Sequence, residues 1–184
     1  TFGNTVLSTS RSKLFLKGGI DFDKETLSLD LRLETKEVND LTAPYYTRLN
    51  APAEFTGRAG GALDDPEISG KVDLGAGTIH GIPVSGASAG LKYRIASLIV
   101  DSLRIEQEGS AYDLSGLIEF RKAEEIFSFK APFYKAKALL QNAGTRQFIK
   151  AAYGDVPVDG TVNGTVSFEG DTEKFTGTGN IVVT

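Results

Sequence analysis

Between Val158 and Phe168 the chain reads V-D-G-T-V-N-G-T-V-S-F. Val158, Gly160, Val162, Gly164, Val166 and Phe168 fall on one side of an extended backbone, and Asp159, Thr161, Asn163, Thr165 and Ser167 on the other. Successive side chains of a strand point to opposite faces, so a strand with this sequence has one dry face and one wet face. The same pattern recurs along most of the chain. It constrains the chain to a long antiparallel sheet wetted on one side.

Leu14, Leu16, Gly18, Ile20 and Phe22 share one register, and Leu27, Leu29, Leu31 and Leu33 alternate with Ser28, Asp30, Arg32 and Glu34. Asp23-Lys24-Glu25 between them predicts a hairpin. Further strands are expected at 53–63, at Ile68–Leu74 with Ile68, Gly70, Val72 and Leu74 inward, weakly at 83–94, then at 97–107, 111–121, 126–133, 156–169 and 174–183. Gly75–Gly81 reads as a hairpin tip or bulge. Two stretches depart from period two. Leu41, Tyr45 and Leu49 are spaced by four within 39–50, with Pro44 near the start of the regular part, and 135–153 reads as a second helix interrupted near Gly144. The expected fold is mainly β: a curved antiparallel sheet of about ten strands with two short helical inserts.

At 184 residues the chain can hold one domain or one slab of a repetitive sheet. Its 40% hydrophobic and 24% charged residues exclude a disordered chain, and a net charge of −4 argues against a nucleic-acid footprint. There are no cysteines, so disulfides and thiolate metal sites are excluded. No apolar run approaches the roughly 20 residues of a membrane helix. The chain begins at Thr1 and holds no Met. We therefore expect a piece of a longer protein, with any membrane anchor outside it.

An internal echo accompanies these strands. K-G-G-I-D-F at 17–22 parallels S-G-L-I-E-F at 115–120, with Phe22 and Phe120 separated by 98 positions. F-T-G-R-A-G-G-A-L-D-D-P-E-I-S-G at 55–70 parallels the stretch 158–177, with Gly57 and Gly160 separated by 103. Repeat units of 12–107 and 111–184 are the expectation.

The order of features is an alternating strand pair, a short helix, a glycine-spaced strand, a D-P-x-I-x-G turn and strand, G-I-P-V, and L-x-I-x-x-x-G-x-Y-x-L-x-G. It is carried by Gly57, Gly60, Pro66, Ile68, Gly70, Gly81, Ile82, Pro83, Leu103, Ile105, Gly109, Tyr112, Leu114 and Gly116. In this order the chain, over roughly 12–183, resembles the AsmA-like periplasmic family, particularly its TamB (translocation and assembly module) branch. The resemblance implies a β-taco: a groove with an apolar concave face, in proteins tethered to the inner membrane of Gram-negative bacteria and crossing the periplasm. It implies phospholipid acyl chains as the partner, transport between inner and outer membranes, and outer-membrane biogenesis with a β-barrel assembly partner. The expected lining is Leu16, Ile20, Phe22, Leu27, Leu29, Leu31, Leu33, Ile68, Val72, Leu74, Ile99, Leu103, Ile105, Leu114, Ile118, Phe120, Phe127, Phe129, Val158, Val162, Val166, Phe168, Phe175, Ile181 and Val183. Gly18, Gly70, Gly116, Gly160, Gly164, Gly177 and Gly179 share that register, and small inner residues let a sheet curl.

Polar candidates read as ordinary surface. His80 is the only histidine and lies on a glycine-rich tip, where a lone imidazole lacks the partners of a triad or metal site. Asp64, Asp65 and Glu67 surround Pro66 and read as a β-turn rather than a Ca²⁺ loop. Glu106 and Glu108 are spaced to share a strand face without a partner acid. Gly75-Ala76-Gly77 opens no helix and lacks the lysine of a phosphate loop. Lys130, Lys135, Lys137 and Lys150 with Tyr134 and Tyr153 form a basic stretch that reads as a solvated helix face rather than a headgroup contact. We expect no catalysis, no cofactor and no metal. The competing function is a structural module in outer-membrane protein assembly, whose apolar face packs on its own helices or a partner.

Overall fold

The computed structural model describes residues 2–39, 49–79, 81–121, 131–144, 160–171 and 173–184. Among the described residues fourteen strands follow one another: β1 Phe2–Ser8, β2 Ser12–Asp21, β3 Thr26–Thr35, β4 Leu49–Asn50, β5 Ala53–Ala62, β6 Pro66–Leu74, β7 Gly77–Ile79, β8 Ile82–Val84, β9 Gly86–Arg94, β10 Ser97–Gln107, β11 Ser110–Phe120, β12 Pro132–Gly144, β13 Thr161–Gly170 and β14 Phe175–Val183. Eleven of them form one sheet in the order β1-β2-β3-β5-β6-β9-β10-β11-β12-β13-β14, and β4-β7-β8 form a small second sheet. Every pairing is antiparallel. At about 4.8 Å per strand the large sheet is roughly 50 Å wide.

The predicted hairpin at Asp23–Glu25 forms, with Asp21 Oδ1 accepting the Lys24 N–H at 3.1 Å and Glu25 at a φ of 50°. The Gly75–Gly81 stretch holds β7, which pairs with β8 from Gly77↔Val84 to Ile79↔Ile82. The weak strand expected at 83–94 is two strands, β8 and β9, because Ser85 leaves the small sheet and donates its N–H to the Glu106 carbonyl at 2.8 Å. β1, which sequence reading passed over, adds a strand outside β2.

One helix expectation is overturned. The span 135–144 is the body of β12, bonded on both sides by β11 and β13. Its lysines, alanines and leucines favour a helix. Yet Tyr134, Ala136, Ala138 and Leu140 alternate with Lys135, Lys137 and Leu139, and two flanking strands decide for that period. The remainder of that helix, 145–153, lies outside the described residues. So does 40–48 of the first helix expectation, whose last two residues form β4. Of the strand expected at 126–133, residues 126–130 also lie outside them.

Candidate functional site: the apolar face of the sheet

Residues directly opposite in an antiparallel ladder share a face. Following the pairings across the large sheet gives one row through all of its strands: Leu7, Leu14, Leu33, Phe55, Val72, Ala89, Leu103, Leu114, Ala138, Val166 and Gly179. The parallel row runs Thr5, Leu16, Leu31, Gly57, Gly70, Leu91, Val100, Gly116, Ala136, Phe168 and Gly177. A third runs from Gly18 through Leu29, Ala59, Ile68, Tyr93, Leu98, Ile118, Tyr134 and Gly170 to Phe175. No Asp, Glu, Lys, Arg or His stands in these three rows.

The opposite face is its complement. Arg32 bridges Glu34 and Glu54 at 2.8 and 2.9 Å, Arg58 meets Asp30 at 2.8 Å, and Arg104 reaches Glu106 and Asp113 at 3.2 and 3.1 Å. The carboxylates beside Arg58 and Arg104 raise both guanidinium pKa values. These pairs are exposed and each contributes little to stability, but together they mark this face as the wet one.

Most of the expected lining falls on the apolar face. Leu16, Leu29, Leu31, Leu33, Ile68, Val72, Leu103, Leu114, Ile118, Val166, Phe168 and Phe175 stand in the rows above, and Phe175 stacks on Phe168 at 5.6 Å. Ile20 and Leu27 pair with each other, and Leu74, Ile105 and Ile181 stand in a fourth register with Ala87, Tyr112, Leu140 and Gly164. Phe120 is buried opposite Pro132, and Val162 lies between Ala143 and Val183.

Two residues do not belong to it. Ile99 lies on the wet face, opposite Lys92 and Leu117. The ladder advances from Val100↔Leu91 to Ser102↔Gly90 to Leu103↔Ala89, so one extra residue stands in β10, a β-bulge. The bulge puts Leu98 and Val100 in phase with Leu103. Phe22 lies past the end of β2 in the turn and is 77% exposed. Phe127, Phe129 and Val158 lie outside the described residues.

The glycine reading holds for six positions, all within the apolar registers: Gly18, Gly70, Gly116, Gly164, Gly177 and Gly179. Gly160 directly precedes β13, which begins at Thr161. The small residues do not all leave open volume. Gly57 and Gly70 are cross-strand partners, and the Phe55 ring lies across both: a Cβ on Gly57 would come within 2.6 Å of Phe55 Cζ, and one on Gly70 within 2.7 Å of Phe55 Cε2. An aromatic ring over paired glycines is a known device for holding a coiled sheet.

The polar candidates disperse. Asp64 and Asp65 lie in the turn before β6. Glu106 pairs with Arg104, whereas Glu108 has left the strand for the Glu108-Gly109 turn, at a φ of 40°, so the two do not share a strand face. Lys135 and Lys137 lie on the wet face while Tyr134 lies on the dry one, so the basic stretch is split between faces. Phe133 is also on the wet face, with the Arg121 guanidinium 3.8 Å from its ring centre. His80, Lys130, Lys150 and Tyr153 lie outside the described residues.

Sequence reading missed a cover over part of the face. Ile79, Ile82 and Val84 of the small sheet stand over a half-open apolar cavity of about 340 Å³, lined on the other side by Ile105, Tyr112, Leu114, Ala138, Leu140, Val166 and Phe168. Gln107 fixes that cover: its Nε2 donates to the Pro83 carbonyl at 2.6 Å and its Oε1 accepts from the Tyr112 hydroxyl at 3.1 Å. Burial raises the Tyr112 pKa, so the hydroxyl keeps its proton as a donor at neutral pH. Val84, Ala87, Tyr112 and Ala138 are all buried here. Compared with protein families, with curated proteins and with solved structures, the chain gives no match.

Proposed function

We propose that the apolar face is a section of a lane along which phospholipid acyl chains cross a periplasm between inner and outer membranes, in the service of outer-membrane biogenesis. The observation that carries this reading is the uninterrupted apolar row through all eleven strands of the large sheet. Each methylene removed from water is worth about 0.8 kcal/mol, so such a strip holds hydrocarbon without recognising a headgroup. The bulge in β10, a second irregularity between Leu140 and Ala143, and the Phe55-covered glycine pair favour a sheet that curls toward that face into a groove. The resemblance to AsmA-like and TamB proteins supports the same assignment, with the inner-membrane tether outside this chain and no catalytic step.

A second reading is a scaffold in outer-membrane protein assembly, whose apolar face is filled from within or by a protein partner such as a β-barrel. The small sheet over β10–β13 favours it locally, since one part of the face is already covered. Order along the chain also supports a twofold repeat: β2-β3, a connection, β5-β6 in the first half and β11-β12, a connection, β13-β14 in the second.

The test is rescue of an envelope phospholipid defect by the full-length protein. Ile68→Arg and Val162→Asp place a charge on the dry face and should abolish rescue at normal protein level, because an ion in a water-poor trough is expensive. Thr161→Asp and Arg104→Gln on the wet face should rescue. Equal rescue by folded dry-face variants would overturn the lane and leave the scaffold.

A further inference from the structure

We infer that the cavity between the β7–β8 hairpin and strands β10–β13 is a binding site for one acyl chain, distinct from the open part of the sheet. The inference rests on the lane reading above and names the place where the chain is gripped rather than merely shielded.

The cavity is bounded on one side by the main sheet and on the other by Ile79, Ile82 and Val84. The small sheet is tied down at both ends. Ser85 N–H bonds the Glu106 carbonyl at 2.8 Å and Gln107 Nε2 bonds the Pro83 carbonyl at 2.6 Å on the β8 side. Gly75 N–H bonds the Pro52 carbonyl at 2.9 Å and Val38 N–H the Ala51 carbonyl at 3.0 Å on the β4–β7 side. Two of these bonds, from Ser85 and from Gln107, join the cover directly to β10.

The lining decides the ligand class. The described wall groups are aliphatic or aromatic apart from the Gln107 amide, which accepts from the Tyr112 hydroxyl at 3.1 Å. Among the described residues no charged side chain contributes to the wall, so none of them would select a phosphate, an amine or a sugar. A half-open space lined by such groups favours apolar guests over polar ones. At about 340 Å³ it is at the small end of ligand pockets, with room for hydrocarbon from one chain and not for a diacyl lipid with its headgroup.

The test uses cis-parinaric acid, a fluorescent fatty acid, titrated into the 184-residue chain. Leu140→Trp fills the cavity and should weaken binding about tenfold or more, the loss expected when part of the guest is displaced into water. Thr165→Trp points to the opposite face of β13 and should bind as the parent does. A second measurement needs no variant: a diazirine-bearing palmitic acid is photolysed on the parent chain and its adducts are mapped by mass spectrometry. Adducts concentrated on 79–84, 105–114 and 138–140 support the site. Parent-like binding by folded Leu140→Trp, or adducts confined to β2, β3 and β6, would overturn the cavity while leaving the lane intact. Absence of both binding and adducts would overturn the cavity, and rescue by the dry-face charge variants would separately remove the lane.

Discussion

Replacing Gly70 by alanine should destabilise the sheet, and replacing Gly60 should not. The two glycines are on the adjacent strands β6 and β5. A Cβ on Gly70 would meet the Thr56 carbonyl oxygen, would lie 2.7 Å from the Gly57 Cα, and would lie 2.7 Å from Phe55 Cε2. Two of those three neighbours are backbone, so relief requires β5 and β6 to separate, with the ring of Phe55 displaced as well. Overpacking of this kind costs roughly 1–3 kcal/mol. For a chain of this size that is about 2–12 °C in Tm. A Cβ on Gly60 meets only the Leu27 carbonyl oxygen at 3.7 Å, ordinary van der Waals contact. There the reduced freedom of the unfolded chain should stabilise by about 0.4–1 kcal/mol. Urea titration followed by circular dichroism reads both variants, with an unchanged slope confirming that only stability moved. A midpoint for Gly70→Ala at or above the parent value would refute the close approach of β5 and β6. Equal losses at both positions would refute the assignment of the effect to this pair.

Asp171 accepts the N–H groups of Glu173 and Lys174 at 2.8 Å each, which hold its carboxyl pKa below the ordinary 3.8. A depressed carboxyl stabilises above its unfolded pKa and loses that contribution as pH falls through the folded one. Asp171→Asn should therefore melt below the parent at pH 6, with the gap closing as melts are carried down from about pH 4 to pH 2. Gln107→Ala removes the strut between Pro83 and Tyr112, and losing a buried hydrogen-bond partner costs about 1–3 kcal/mol. Hydrogen exchange at the amides of 77–84 should speed up while β2 and β3 are unchanged. Among the described strands β14 is at the edge of the large sheet, it has no charged residue and no proline from Phe175 to Val183, and Val182 is 63% exposed. Such an edge invites strand pairing between molecules, so Val182→Lys should lower association at high concentration by light scattering.

How much of this was legible depended on whether both sides of a residue obeyed one period. β3 was readable because Leu27, Leu29, Leu31 and Leu33 alternate with four polar residues, and the ladder places them as that alternation requires. β12 was not, because alanine on the dry side and lysine on the wet side satisfy a helix as well as a strand. Only the two neighbouring strands separate the alternatives. The cover over the cavity was unreadable for another reason. β4 has two residues and β7 and β8 have three each, too short for any period to register, and their pairing joins residues 49–50 to 78–79. The Gln107–Pro83 bond likewise exists only once β8 has been folded over β10.

The bulge in β10 shows what the break in period was saying. In S-L-I-V-D-S-L-R-I, Val100 and Leu103 are three apart, so a uniform alternation counted back from Leu103 and Ile105 selects Ile99 and rejects Leu98 and Val100. The ladder instead places Leu98, Val100, Leu103 and Ile105 together and leaves Asp101 and Ser102 beside Gly90. A Cβ on Gly90 would lie 3.4 Å from Ser102 Oγ and 3.7 Å from Asp101 Cβ, so the strand opposite already makes room for the extra residue. This leads to an unusual expectation for a central strand. Deleting one residue normally turns half a strand inside out. Deleting Asp101 should instead restore strict alternation and keep all four apolar residues on the dry face, at the loss of the local twist a bulge adds. Deleting Leu117 in β11, where the ladder with β12 is unbroken, should unfold the chain. Cooperative melting by near-ultraviolet circular dichroism distinguishes the two. If the chain without Asp101 melts no more cooperatively than the chain without Leu117, the bulge is not a spare residue but a bend the sheet depends on.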